Sequence, residues 1–202
     1  MTLHTGPQCF LDRNPTSGSS STPAFLGNVL HTPCASSPSD NTGCAFGDSD
    51  PTSYGKGFND AGGGVYAHLW NKDGIKIWHF KRSSIPQDIT SGNPDPSTWP
   101  TPVAFWADAG CDMASHFIDH SLVIDTTLCG DWAGDINVYG NSGCQGTCAE
   151  AVSKKSNFNG AFVLFNALAC RQTGIEIEIT RRLLGDQLYF SLYLGLSAEG
   201  LP

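Results

Sequence analysis

Eight cysteines (Cys9, Cys34, Cys44, Cys111, Cys129, Cys144, Cys148 and Cys170) constrain this chain more than any other feature. None of them makes the C-x-x-C spacing that marks structural zinc most strongly. Cys144 and Cys148 are four apart, but no second pair and no suitably spaced histidines complete a metal site. Disulfides formed in an oxidising compartment are the better account; their connectivity stays open, and no metal or cofactor is expected. What such staples would hold is poor in charge and rich in turn formers. Charged residues make up 15% of the 202 positions, against 23 glycines and 12 prolines. That balance excludes a coiled coil or a charged disordered chain and favours an all-β domain with many tight turns. A formal charge of −8 argues against nucleic acid or an anionic membrane surface as a partner. No apolar run approaches the roughly 18 residues of a membrane span.

Along the chain, positions 7–60 are dominated by Ser, Thr, Pro, Gly, Asn and Asp and read as loops held by cysteines. A hairpin follows. Gly62-Gly-Gly64 enters an apolar run to Trp70, Asn71-Lys-Asp-Gly74 turns the chain, and Ile75 to Phe80 alternates as a strand does. Ile75, Ile77 and His79 share one face and Lys76, Trp78 and Phe80 the other, so this strand is expected to be covered on both sides. Val103 to Trp106 and Leu122 to Ile124 read as further strands, and the stretch around His116 as strand-like. Cys148 to Leu168 reads as the one helical segment. From Ala169 the character changes, which suggests a division into 1–168 and a divergent tail, 169–202.

Several segments, taken in order, resemble one family. They are His4-Thr5-Gly6, Tyr54-Gly-x-Gly-Phe-Asn59, Gly62-Gly-Gly-Val-Tyr-Ala67, Ile77-Trp-His-Phe-Lys-Arg82, Ile85-Pro-Gln-Asp-Ile89, Cys111-Asp112 and Asp125-Thr-Thr-Leu-Cys-Gly-Asp-Trp-Ala-Gly134. Their order is similar to that of the fungal laminarinase-like branch of glycoside hydrolase family 16, endo-β-1,3(4)-glucanases. The resemblance covers roughly Met1 to Leu168. It implies a concanavalin A-like jelly-roll β-sandwich, a β-1,3- or mixed-linkage β-glucan as substrate, and an extracellular setting.

The same resemblance places the family's chemistry on E-x-D-x-x-E, in a strand just before the segment that begins here at His4. Two glutamates roughly 5–5.5 Å apart would then flank the glycosidic bond for a retaining double displacement. The four glutamates of this chain, Glu150, Glu176, Glu178 and Glu199, do not form that motif. The expectation is therefore a sandwich incomplete at its N-terminal side, preceded in the gene by the catalytic strand, and inactive as it stands. No secretory signal is legible in Met1-Thr-Leu-His-Thr-Gly6. The alternatives are a glucan-binding remnant, with Trp132 and Trp106 as stacking surfaces, and a non-functional truncated product.

Two site residues follow from the resemblance. His4 would lie in the cleft, and Trp132 in Cys-Gly-Asp-Trp-Ala-Gly would stack on a sugar ring. Leu69 stands where relatives are expected to carry a glutamate, so one polar substrate contact would be absent. Cys170 falls in the tail, leaving an odd seven cysteines before it, so either Cys170 is recruited or a partner was lost with the missing strands. Three patterns are set aside. Glu176-Ile-Glu178 is read as a solvated face. His116, Asp119 and His120, with H-x-x-D-H spacing, lie too far apart on a strand to share zinc. Gly62-Gly-Gly64 lacks the Gly-Lys-Ser/Thr of a phosphate loop.

Overall fold

A computed structural model describes residues 1–15, 24–118, 121–124, 128–159, 164–171, 174–180 and 194–197; the strands at 121–124, 164–171, 174–180 and 194–197 are described as backbone. The chain divides into two compact units: Met1–Ile118 with Leu164–Arg181, and Asp119–Val163 with Arg182–Pro202.

The first unit is built on two antiparallel sheets. Strand β1 (Thr2–Leu3), β2 (Asn28–His31) and β3 (Cys44–Gly47) form one, in the order β1-β3-β2. The hairpin read from the sequence is the centre of the other. Here β4 (Gly64–Asn71) and β5 (Gly74–Lys81) pair from Gly64 opposite Lys81 to Asn71 opposite Gly74, with Lys72-Asp73 as the two-residue loop. Strand β6 (Ala104–Ala107) flanks β5, giving the order β6-β5-β4-β9-β8 with β8 (Leu164–Arg171) and β9 (Gly174–Thr180).

Alternation along β5 sorts its side chains as expected. Ile75 and Ile77 join a core that draws Leu3, Cys44 and Phe46 from the smaller sheet and Ala104 and Trp106 from the larger. On the opposite face Trp78 and Phe80 pack with Val65 and Ala67 beneath Ile85, Ile89 and Trp99. That cover is pinned by its polar ends: Trp78 Nε1–H donates to the Pro100 carbonyl at 2.7 Å, and Trp99 Nε1–H to Asp88 Oδ2 at 2.7 Å. Leu69 packs against this same apolar cluster.

Disulfides join Cys9 to Cys111, Cys34 to Cys44, and Cys129 to Cys148. Among the described residues Cys144 is buried with a free thiol. Cys170 falls on β8, which crosses the point between 168 and 169 where the sequence changes character.

Two expectations are corrected. The helix predicted for Cys148 to Leu168 is only Cys148–Ser153, a turn of 3-10 helix follows at Lys155–Phe158, and the apolar residues from Leu164 belong to β8. A short apolar run has no periodicity that separates strand from helix. Here the polar stretch Lys154–Asn157 ends the helix, and Lys154 is already extended. His116, expected on a strand, closes the helical turn Met113–His116, whose first N–H donates to Asp108 Oδ1 at 2.9 Å. Its Nε2 and Nδ1 each lie 2.9 Å from a carbonyl oxygen, of Pro7 and Asp112. The Pro7 carbonyl first, then that of Asp112, holds its pKa above the ordinary value, and no ring nitrogen is left for a metal. Asp119 and His120 lie outside the described residues. In the second unit, strand β7 (Ser121–Ile124) pairs with β10 (Leu194–Ser197). Among the described residues no helix is long and apolar enough to cross a membrane.

The packing makes a pH prediction. His68 on β4 is mostly covered, opposite Ile77, and burial pushes its pKa down to about 4. In the unfolded chain it titrates near 6.5, so between about pH 4 and 6.5 the unfolded state binds the extra proton. Stability is therefore full above pH 6.5 and falls by about 2–3 kcal/mol as pH drops towards 4. Urea unfolding of wild type and His68→Phe across that range checks this; the variant's profile should be flatter, and parallel profiles would contradict it.

Candidate functional site

Thr2 and His4 are exposed while Leu3 is buried, so the alternation at β1 turns His4 to the solvent side of the three-stranded sheet. Its Nδ1 lies 2.9 Å from Ser36 Oγ. The next residue is tied to the same loop: Thr5 N–H donates to the Cys34 carbonyl and Ser36 N–H to the Thr5 carbonyl, both at 2.9 Å.

Trp132 belongs to the second unit. It sits in the helical turn Gly130–Ala133 and is 62% exposed. The chain enters this turn through Cys129 at φ 67° and Gly130 at φ 79°, a left-handed conformation that only glycine adopts without strain. Cys129 is held there by its disulfide to Cys148, and Asp135 ends the segment by accepting from the N–H groups of Asn137 and Val138. The cross-linked turn presents the indole ring to water.

Trp106, the other stacking surface expected in a binding remnant, is not at the surface. It is 2% exposed, edge-on to Phe46 at 5.0 Å between ring centres. The register places Trp106 opposite Ile75, on the core face of β6, because the residues between Ala104 and Ala107 alternate about a strand covered on both sides.

Asp40, Asp50, Asp88 and Glu150 are all held below the ordinary carboxylate range, the opposite of what a proton donor near neutral pH requires. Glu150 is a helix cap: its carboxylate accepts from Thr147 N–H at 2.9 Å while the Thr147 hydroxyl accepts from Glu150 N–H at 3.2 Å. Those bonds lower its pKa. At Asp50 desolvation is outweighed by hydrogen bonds from Thr52 and Lys81, leaving it at about 2. Glu176 and Glu178 stand on β9 opposite Ala67 and Val65, with side chains outside the described set, and Glu199 lies outside it altogether. Among the described residues no cluster of His, Cys, Asp and Glu is arranged to hold a metal ion. The remaining titratable group of note is interior: His79 Nδ1 is 3.3 Å from Asp48 Oδ2, with the Tyr66 ring stacked on the imidazole at 5.1 Å. Burial lowers the pKa of His79 and the Asp48 charge opposes that. The His79 side chain is 2% exposed and that of Asp48 14%, so the pair lies largely inside the first unit.

Sequence reasoning missed Ser36 and Gly43, the neighbours of His4. They lie 32 and 39 positions away, and only the pairing of Cys34 with Cys44 would have drawn attention to the loop between them.

A family model described as an XgeA-like, catalytic GH16 domain matches residues 1–170. A probable glycosidase of Schizosaccharomyces pombe is 39% identical over 175 residues, which is 85% of this chain and 40% of that protein. The endo-1,3(4)-beta-glucanase xgeA of Emericella nidulans is 42% identical over 120 residues, 59% of this chain and 18% of its own. Among solved structures, the GH16 Laminarinase 16A from Phanerochaete chrysosporium, holding 6-O-glucosyl-laminaritriose in donor and acceptor sites, aligns with a TM-score of 0.65. The identity is 32%, over 90% of this chain and 56% of that one. An elongating GH family 16 beta-1,3-glucosyltransferase aligns at 0.64 and 34% identity, over 90% and 57%. The chain thus spans less than half the length of these curated relatives.

Proposed function

Because the chain belongs to glycoside hydrolase family 16, in its XgeA-like branch, we propose that its substrate is a β-1,3- or mixed β-1,3/1,4-glucan and that these 202 residues hold the glucan without cutting it. The observation that carries this reading is Trp132, 62% exposed on a turn fixed by the Cys129–Cys148 disulfide. The face of an equatorially substituted glucosyl ring is a sheet of C–H bonds, which an indole face covers with little loss of conformational freedom. In the first unit, His4 by itself offers an imidazole to a sugar hydroxyl. Two antiparallel sheets sharing one core support the further reading of a jelly-roll sandwich.

Cutting needs more. A retaining glycosidase sets one carboxylate to attack the anomeric carbon and a second, with raised pKa, to protonate the departing oxygen. The one glutamate whose side chain is described, Glu150, caps a helix, and E-x-D-x-x-E does not occur in the sequence. A chain carrying that motif ahead of His4 would be a secreted endoglucanase, its disulfides suited to an oxidising setting.

Affinity electrophoresis through laminarin gels tests the binding half. Wild type is expected to be retarded, and Trp132→Ala to bind roughly tenfold more weakly. Equal mobility of both proteins with and without laminarin would remove this reading.

A further inference from the structure

The Cys34–Cys44 disulfide closes a loop that contains both neighbours of the His4 ring. Ser36 is one, through its Oγ at 2.9 Å from Nδ1. Gly43 is the other. A Cβ placed on Gly43 would stand 2.8 Å from both Nδ1 and Cε1 of His4 and 2.6 Å from the Leu3 carbonyl oxygen. Gly43 also holds φ +66°, a conformation that suits glycine. Its carbonyl is fixed from behind, because His31 Nδ1–H donates to it at 2.7 Å. Thr5, beside His4, is stitched to Cys34 and Ser36 by two backbone hydrogen bonds of 2.9 Å.

We propose that the disulfide-closed loop 34–44 is a seat for the His4 imidazole, with Gly43 providing the space and Ser36 the hydrogen bond that sets the plane of the ring. The seat engages the Nδ1 edge and leaves Nε2 for ligand. A serine hydroxyl donates or accepts, so either neutral tautomer is held. Nε2 then meets a sugar hydroxyl, itself donor and acceptor, in whichever role that hydroxyl takes. Ser36 and Gly43 are thus positioning residues acting through His4. The inference rests on the glucan reading above, and supplies a reason for a short disulfide loop beside an edge strand.

The test measures laminarihexaose affinity and thermal midpoint for the oxidised 202-residue chain and its variants His4→Ala, Ser36→Ala, Ser36→Thr and Gly43→Ala. Ser36→Ala is expected to weaken binding about 3- to 10-fold, the loss of one orienting hydrogen bond. Its thermal midpoint should stay unchanged, since that bond is exposed. Ser36→Thr should restore affinity, and Gly43→Ala should weaken binding at least as far as Ser36→Ala. In a Ser36→Ala/His4→Ala double variant the two losses should not add, because Ser36 works through the ring. Wild type that binds with Ser36→Ala binding equally well overturns the seat alone. Additive losses in the double variant also overturn it. Wild type that fails to bind overturns the glucan reading and this role with it.

Discussion

Replacing Trp106 with alanine is expected to lower the unfolding free energy by about 3–5 kcal/mol, the cost of emptying a large aromatic site in a close-packed core. Among the described residues Trp106 is the largest fully buried side chain, and it joins the two sheets, standing opposite Ile75 in one and edge-on to Phe46 in the other. Phe25 extends the aromatic contact, 4.7 Å from Phe46. Backbone pins the site: a Cβ on Gly74 would come 2.1 Å from the Trp106 carbonyl oxygen, so β5 and β6 have little room to collapse into a cavity. Trp106→Phe separates packing from polarity. It keeps an edge-on ring and removes an indole N–H that has no partner among the described residues, so it should cost less than half as much as alanine. Urea titration followed by circular dichroism measures all three proteins, and an alanine variant within about 1 kcal/mol of wild type would contradict this account of the core.

The second large effect concerns the cross-links. Removing the Cys9–Cys111 disulfide as a Cys9→Ala/Cys111→Ala pair should destabilise the chain by roughly 4–5 kcal/mol, against roughly 2–3 kcal/mol for Cys34→Ala/Cys44→Ala. The difference comes from loop length, since the sequence separations are 102 and 10. The longer link also fixes where the segment after β1 docks: Phe10 N–H donates to the Gly110 carbonyl at 2.8 Å and His116 reaches back to Pro7. Equal losses for the two pairs, or a larger loss for the short loop, would show that strain or residual unfolded structure outweighs chain entropy.

What the sequence made legible was local. The hairpin at 64–81 carries its own turn chemistry and its own alternation, so its strands, its loop and the two faces of β5 follow from composition and period. The bend at Trp132 was legible because the glycines around it argue against a strand, and the chain does turn there. Trp106 was not, because an aromatic residue at a strand position reads the same whether a second sheet covers it or not. His116 was misread for want of its partner: the Pro7 carbonyl lies 109 positions away. The boundary at 148–168 failed because the capping box at Thr147 and Glu150 starts a helix that the local sequence then cannot sustain. Disulfide partners, and with them the loop around His4, were closed to sequence reasoning, since pairing is set by tertiary approach. The resemblance to a glucanase family, by contrast, rested on ordered motifs and agrees with a family match over residues 1–170.

The proposed function has two halves, that these residues hold β-glucan and that they leave its bonds intact. One proton NMR titration of the chain with laminarihexaose, followed for a day, addresses both halves in a single tube. The expected result is a concentration-dependent shift of the Trp132 indole N–H, with the anomeric signals of the sugar unchanged. An indole signal that never moves would contradict the binding site, and growing reducing-end signals would contradict the claim that the chain cannot cut.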